Sequence, residues 1–337
     1  MERTAADTKA AEGQARAAKH PPLRRSFKTP LWHRLAEHLI ALMAMAAIAA
    51  VILIFVFIAR EALPLLWEEL GAEELRLRDL FLPRQWPGYD EPIYAWQPVG
   101  TPAKYNVVPL FIGSLKVTVL SMLISVPVGI GCAVYLAQYA PQRLREIVKP
   151  VIELLAGVPS VVLGFFALMI VATWAQDAFG FRFRLNAVVA SIGLSLAVIP
   201  IIFTISEDAI QAVPRSLSEA ALALGARKYQ TSLRVVLPAA LPGIAAAVVL
   251  GFGRAIGETM IVLMASGNAA VMELFDPTTS VRTVTATIAA ELGEVARGDP
   301  HWRVLFLLGV MLFAVTFVLN LVSTLAVRRL RRRLTAS

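Results

Sequence analysis

Residues 216–238 read SLSEAALALGARKYQTSLRVVLP, a polar island between two long apolar runs. Ser216 and Glu219 have the spacing of a capping box, in which a hydroxyl and a carboxylate each accept an N–H at a helix start. Gly225 predicts the end of that helix, because glycine adopts positive φ without steric cost. We expect a second short helix to follow and to be interrupted at Pro238. Such a segment is either a handle for an external partner or an ordinary amphipathic loop helix.

The composition on both sides of this island is that of a membrane protein. The chain of 337 residues is 57% hydrophobic and 17% charged, against roughly 45–50% and about 25% in soluble domains. Its apolar residues are concentrated in runs about as long as the ~20 residues that cross a bilayer as a helix. We therefore predict an all-α membrane protein with six transmembrane helices. The runs are Leu39–Ala59, Val117–Gln142, Leu154–Gln176, Leu185–Ser206, Val235–Met272 and Val304–Val327.

The distribution of basic residues predicts the orientation. If the N-terminus is cytoplasmic, the inside segments include Arg143–Lys149, Arg215–Arg234 and Arg328–Arg333, and they hold most of the Lys and Arg residues outside the spans. This is the bias expected of cytoplasmic loops. Both termini are then cytoplasmic, and the net charge of +8 reflects orientation in the lipid bilayer, with no nucleic-acid partner implied.

This topology divides the chain into parts with different environments. The predicted parts are a disordered cytoplasmic tail (1–34), a first transmembrane helix (35–63), a periplasmic segment (64–106), a five-helix core (107–327) that contains a cytoplasmic loop (207–238), and a basic cytoplasmic tail (328–337).

The predicted periplasmic segment is rich in prolines, which preclude a long helix. It is also rich in aromatic residues. They form an interfacial belt or local packing, or they form a docking surface for an external protein. These residues are Trp67, Trp86, Tyr89, Tyr94 and Trp96.

Two charged residues interrupt the fifth run. Arg254 and Glu258 are four apart and so share a helix face, and each charge costs roughly 2.5–3.5 kcal/mol at mid-membrane on insertion scales. Counting along the helix from Leu241 places both in the outer half of the membrane. They form either an ion pair that pins two helices or a contact for an anion on its path. A guanidinium presents a planar fork of donors to an oxyanion, and a carboxylate accepts the proton of hydrogen phosphate.

Other polar residues give weaker signals. Lys116, near the outer end of the second helix, is interpreted as reaching the interface with its amine, and a second anion contact is the alternative. Cys132 is the only cysteine and the four histidines are scattered, so we expect no disulfide, metal site or cofactor. No catalytic arrangement is predicted. No lysine follows a glycine as in a P-loop, so energised transport would need a separate ATPase.

The opening stretch resembles the EAA loop of bacterial ABC-importer permeases, whose pattern is E-A-A-x3-G-x9-I-x-L-P. Every spacing matches, with Val235 in place of the isoleucine. The resemblance favours the handle interpretation and implies a coupling helix seated in a cleft of an ATPase. The matching residues are Glu219, Ala220, Ala221, Gly225, Leu237 and Pro238.

From about Leu35 to Arg333 the chain resembles the phosphate-specific (Pst) permeases of the PstC type. The resemblance implies a type I importer core that moves phosphate from periplasm to cytoplasm. Arg254 and Glu258 match the charged pair on that family's substrate pathway. Another oxyanion (sulfate, molybdate or phosphonate) is the alternative, since sulfate and molybdate permeases carry a similar run. The supporting stretches are Glu153–Ser160, Arg254–Met260, Leu274–Pro277 and Arg60–Pro64.

The resemblance also implies partners in a bacterial inner membrane. They are a second, PstA-like permease, a cytoplasmic PstB-like ATPase dimer and a periplasmic PstS-like phosphate-binding protein, while the chain itself is non-catalytic. Two other classes remain open. A secondary anion transporter would need coupling-ion sites at broken helices, and a membrane scaffold or sensor would need neither the intramembrane charges nor a coupling helix.

Overall fold

The computed structural model describes residues 31–66 and 78–335, and within them the chain is almost entirely helical. Most of the predicted N-terminal tail (residues 1–30) and Trp67 lie outside the described residues.

The helices follow one another with short connections. Two strands, β1 (Trp96–Gln97) and β2 (Lys104–Tyr105), form an antiparallel hairpin before α2. The helices are α1 (Leu31–Ala62), α2 (Val108–Gln138), α3 (Gln142–Ala156), α4 (Ser160–Phe179, with a π turn at Ala167–Val171), α5 (Ala187–Gln211), α6 (Arg215–Ala223), α7 (Lys228–Ile256, with a π turn at Ser232–Val236), α8 (Met260–Ala265), α9 (Val284–Glu291) and α10 (Pro300–Thr335).

Among the described residues, six helices are long and apolar enough to cross a membrane: α1, α2, α4, α5, α7 and α10. Most predicted boundaries differ from the structure by several residues. The third span begins at Ser160 and not at Leu154, because a break at Gly157–Pro159 separates it from α3. The fifth ends at Ile256 and does not continue to Met272. The last helix continues to Thr335 through most of the predicted basic tail.

The chain divides into two compact units after Ile54, within α1. In the first unit, the apolar side chains from Leu35 to Ile54 are exposed, as expected of a helix surrounded by lipid.

In the second unit, α5 is the central helix and packs against α2, α4, α7 and α8. Close packing there depends on small residues, as is common between transmembrane helices. At Gly251 of α7, an added Cβ atom would lie 2.8 Å from the Ile202 side chain of α5. This contact sets Gly251 beside the middle of α5.

No helix forms between residues 78 and 106, as the prolines predicted. The side-chain amide of Asn106 organises this segment by donating hydrogen bonds to the carbonyls of Asp79 and Leu82, at 3.0 and 2.9 Å. The hairpin packs with α9 and the start of α10 in an apolar cluster, which includes Trp96, Tyr105 and Leu305.

Candidate functional site

The predicted handle, residues 216–238, contains most of helix α6, and no residue of this helix is buried. The predicted capping box is wrong. The helix begins at Arg215, and Pro214 occupies the N-cap position with no side-chain cap. Pro214 has φ fixed at −57° and starts the helix through its carbonyl, which accepts the N–H of Leu217 at 3.1 Å. Ser216 therefore lies inside the first turn.

Gly225 ends α6 as predicted. Its φ is +84°, and its N–H donates to the carbonyl of Leu222 at 2.9 Å. The N–H of Ala226 donates to the carbonyl of Ala221 at 3.1 Å. These two bonds form a Schellman motif, which requires a left-handed residue at this position. The backbone therefore reverses at Gly225 between α6 and α7.

The predicted interruption at Pro238 is wrong, because α7 continues through it. Pro238 lacks an N–H, and the chain widens into a π turn just before it. In that turn the N–H of Leu237 donates to the carbonyl of Ser232, one residue beyond the usual α-helical acceptor. The second part of the handle, from Lys228 to Pro238, is therefore continuous with a transmembrane helix.

Several large apolar side chains of the handle are exposed. Leu224 is 89% exposed, and Leu217, Leu222 and Tyr229 are about half exposed. Apolar side chains grouped on an exposed segment are typical of a protein-interaction surface.

A buried carboxylate lies at the end of α5 that leads into α6. The side chain of Glu207 is 0% exposed and accepts from Arg145 and from Lys149 of α3, each at 2.6 Å. Gln211 also donates to Glu207. The hydrogen bond from Lys149 to Glu207 raises the pKa of the lysine amine above its usual value of 10.5. We call these four residues the Glu207 cluster.

The sequence interpretation did not identify the Glu207 cluster. The available signal was a carboxylate placed just after an apolar run, with Arg145 and Lys149 four residues apart on a neighbouring amphipathic helix. The cluster fixes α3 to the segment that enters the handle.

Arg254 and Glu258 form the ion pair that their spacing predicts, with 3.3 Å between Nη2 and Oε2. They do not share a helix face, because α7 ends at Ile256 and Glu258 lies in the break before α8. The Arg254 side chain is 52% exposed and Glu258 is 5% exposed. The backbone carbonyl of Glu258 accepts from Thr285 at 2.8 Å, which fixes the break against the start of α9.

Arg254 lines a cavity of about 260 Å³ between the end of α3 and helices α4, α5 and α7, which we call the Arg254 cavity. Ala197 and Ile201, from the middle of α5, line the same cavity. Arg254 therefore lies beside the middle of the central helix α5 and two residues before the end of α7. Its predicted place in the outer half of the membrane stays a prediction.

The other residue in the Arg254 cavity with a polar side chain is Ser160, at the start of α4. Ser160 belongs to the stretch Glu153–Ser160, and Arg254 belongs to Arg254–Met260. The structure therefore brings together two stretches that the resemblance singled out separately. Their remaining neighbours in the cavity are Leu155, Ala156, Val158 and Leu163.

Lys116 contacts the loop that follows α8, and its interpretation as a residue that reaches the interface stays a prediction. Its amine donates to the backbone carbonyls of Glu273 and Asp276 and lies 3.5 Å from the hydroxyl of Thr279. It therefore holds the loop that follows α8. In that loop, a hydrogen bond from the Thr278 hydroxyl lowers the pKa of Asp276.

A second carboxylate organises the segment around the hairpin. Glu291 accepts from Arg282 at 2.7 Å, from His301 at 2.9 Å and from the indole N–H of Trp96 at 3.1 Å. Trp86 is buried beneath Arg84, whose guanidinium lies 4.7 Å from the ring centre. These contacts support local packing for Trp86 and Trp96 over an interfacial belt.

Residues 31–66 and 78–335 contain no group of three or more His, Cys, Asp or Glu side chains that could hold a metal ion. Cys132 is a free, partly buried thiol.

Comparison with known proteins identifies the family. The family described as "Binding-protein-dependent transport system inner membrane component" matches residues 125–336. The chain belongs to this family. The all-α importer-permease fold predicted from the sequence is confirmed, with the short hairpin β1–β2 as an addition.

Relatives of this family member cover most of the chain. It is 37% identical to the "Probable ABC transporter permease protein YqgH" of Bacillus subtilis, over 66% of this chain and 72% of the relative. It is 32% identical to the "Phosphate transport system permease protein PstC" of Xylella fastidiosa, over 88% and 92%. It is 33% identical to PstC 1 of Mycobacterium tuberculosis, over 79% and 86%.

Solved structures share the fold at lower identity. A chain of a bacterial alginate ABC transporter, solved with an alginate-bound periplasmic protein, gives a TM-score of 0.57 at 17% identity and covers 89% of this chain and 97% of its own. A chain of the MetNI methionine ABC transporter in an inward-facing conformation gives 0.54 at 20% identity, over 66% and 95%.

Proposed function

We propose that this chain is the permease subunit of an ATP-driven importer of inorganic phosphate. The observation that carries the proposal is Arg254, a cation beside the centre of the bundle that lines a cavity and contacts Glu258. A charge at this depth is expensive, and it is usually kept where it faces a substrate path. The relatives named as phosphate permeases support phosphate as the ion transported.

The hydrogen-bonding groups of Arg254 and Glu258 match those of inorganic phosphate. The guanidinium of Arg254 offers a fork of donors to ionised oxygens, and the carboxylate of Glu258 accepts a hydrogen bond from a protonated oxygen. Inorganic phosphate carries both kinds of oxygen at neutral pH. Sulfate has no proton to donate and would leave Glu258 facing only negative oxygens.

The residues of the handle support an ATPase and other transport subunits as the partners. Glu219, Ala220, Ala221 and Gly225 lie on or directly after α6, and Leu237 and Pro238 lie where α7 leaves its π turn. We propose that α6 is the coupling helix, seated in a cleft of a PstB-like ATPase dimer on which ATP is hydrolysed. The exposed leucines of the handle support an external protein partner, and a PstA-like permease and a PstS-like binding protein complete the assembly.

The proposed orientation puts both termini in the cytoplasm of a bacterial inner membrane. The handle then faces the ATPase, and the loop held by Lys116 and the segment around the hairpin face the periplasm. The bias of Lys and Arg residues toward the handle side supports this orientation. Residues 64–106 form the periplasmic segment on this assignment.

Reconstitution of the complete assembly tests the proposal. Proteoliposomes containing the chain, its partner permease and the ATPase, with the binding protein added outside, should accumulate labelled phosphate only when ATP is inside. Matched vesicles with a non-hydrolysable ATP analogue are the control. Accumulation without ATP hydrolysis would contradict an ABC importer, and uptake of sulfate in preference to phosphate would contradict the substrate.

A further inference from the structure

The Arg254 cavity has two lining residues with polar side chains, one from each of two distant stretches of the chain. Ser160 begins α4, and Arg254 lies near the end of α7. We propose that Ser160 and Arg254 together form an intramembrane binding site for a single protonated tetrahedral oxyanion. In this site Ser160 determines the preference for hydrogen phosphate over sulfate. The inference rests on the proposed function and assigns a stable binding step within it.

Arg254 has N–H groups that are available to a ligand. A guanidinium carries five N–H donors, and in the described part of the chain its partner is the Glu258 carboxylate at 3.3 Å. The other N–H groups of a membrane-embedded cation need acceptors, since an unpaired polar group in an apolar surrounding is costly. Water or an anion in the Arg254 cavity would supply them.

Ser160 is also without a protein partner. Its hydroxyl makes no hydrogen bond within residues 31–66 and 78–335, although it lines a cavity whose remaining walls are apolar. A hydroxyl offers one donor and two acceptor sites. It can therefore accept from a protonated ligand oxygen, which Arg254 cannot do.

The break between α3 and α4 makes Ser160 the first residue of α4. The N–H of Gly157 donates to the carbonyl of Leu154 at 3.0 Å and ends α3, and Pro159 occupies the N-cap of α4 in an extended conformation. If the third span began at Leu154, as the sequence predicted, Ser160 would be an interior residue of that helix and not its first.

The dimensions of the Arg254 cavity suit a small, partly hydrated anion. Its volume of about 260 Å³ compares with about 30 Å³ for each water molecule in the liquid. A tetrahedral oxyanion with a few waters fits this volume. Arg254 would hold the ionised oxygens, and Ser160 would accept from the protonated one.

Equilibrium binding and transport, measured on the same assembly, test the site. Labelled inorganic phosphate is titrated onto the complex of the chain, its partner permease and the ATPase in nanodiscs, without the binding protein and with sulfate as competitor. We expect saturable binding that Ser160→Ala weakens about tenfold, the effect of one hydrogen bond to a charged ligand. Ser160→Thr, which keeps the hydroxyl, should bind nearly as wild type does.

Selectivity separates a binding role from a structural one. In Ser160→Ala, sulfate should displace phosphate more effectively than it does in wild type, a change that simple misfolding would not produce. Ser121→Ala, which removes a buried hydroxyl of α2 that has no partner in the described residues, should leave both values unchanged.

The outcomes distinguish this inference from the proposed function. Normal ATP-driven uptake with no saturable phosphate binding would overturn the site and leave the function standing. The same holds if Ser160→Ala binds phosphate and sulfate as wild type does. Absence of uptake by the fully assembled wild type would overturn the function, and the site with it.

Discussion

The amine of Lys149 lies 2.6 Å from Oε2 of Glu207, a carboxylate with a completely buried side chain. Arg145 occupies the other oxygen of the same carboxylate at 2.6 Å. A charge withdrawn from water is tolerated only when it is paired and hydrogen-bonded. The two cations of α3 are therefore required by Glu207, which lies at the end of α5 where the chain turns into α6.

The first prediction concerns a variant that lacks the cations Arg145 and Lys149 and keeps the carboxylate of Glu207. In Arg145→Met/Lys149→Met, Glu207 is buried without its cations, and we expect a loss of about 3–5 kcal/mol in the free energy of unfolding. Denaturant unfolding in detergent measures it. The control is Arg143→Met, a neighbour on α3 that has no ion pair among the described residues. A double variant as stable as this control would show that the cluster contributes nothing.

The second prediction concerns alkaline pH. The hydrogen bond to Glu207 raises the pKa of Lys149 in the folded protein. Its stabilisation is therefore fully present below the unfolded value near 10.5 and is lost as the pH rises through the folded value. Melting temperatures of wild type and Lys149→Met, compared from pH 9 to pH values above the folded pKa of Lys149, should converge at the alkaline end. A constant difference would contradict the assignment.

The third prediction concerns the reversal at Gly225. Proline at this position cannot adopt a φ of +84° and lacks the N–H that bonds Leu222. Gly225→Pro should therefore prevent a stable complex with the ATPase, as measured by co-purification. Gly225→Asn is the matched control, because asparagine tolerates the left-handed conformation. Co-purification of Gly225→Pro at the wild-type level would refute a coupling role for this segment.

The fourth prediction concerns the carboxylate beneath the hairpin. Replacing Glu291 by leucine removes the acceptor of Trp96 and leaves Arg282 without its anion. We expect a loss of about 3 kcal/mol and faster hydrogen exchange in residues 96–105. Glu294→Leu, at a neighbouring exposed position, is the control. If both variants exchange alike, the Glu291 contacts do not hold the hairpin.

The transmembrane helices were predictable because length and hydropathy decide them. Five runs without charge and one run with two charges correspond to the six spans. The end of α6 was also predictable, because only a residue that tolerates positive φ suits Gly225. In these cases one local physical rule determines the outcome.

The breaks within and between the spans were not predictable in this way. Apolar sequence continues across Gly157–Pro159 without a charge, so composition gives no boundary there. Around Gly257, the charges Arg254 and Glu258 interrupt the run but do not show at which residue the helix ends. At Pro238 a π turn replaces the predicted interruption. Near Ser216, the N-cap is Pro214, so the helix starts two residues earlier than predicted.

The candidate site was predictable in part. Arg254 and Glu258 were visible as charges in an apolar run, and their pairing follows from their spacing. The place of Ser160 in the Arg254 cavity was not predictable. It depends on how α4 lies beside α5 and α7, which sequence spacing does not encode. Glu207 was missed for the same reason, since its cations come from another helix.

The central claim is that Arg254 contacts the transported phosphate in an ATP-driven importer, and the fifth prediction tests it directly. The measurement is ATP-dependent phosphate uptake by proteoliposomes that contain the complete assembly with Arg254→Ala. We expect uptake reduced about tenfold or more in complexes that assemble normally. We expect an intermediate rate for Arg254→Lys, which keeps the positive charge and loses the planar set of donors. Uptake by Arg254→Ala at the wild-type rate would show that Arg254 does not contact the transported phosphate.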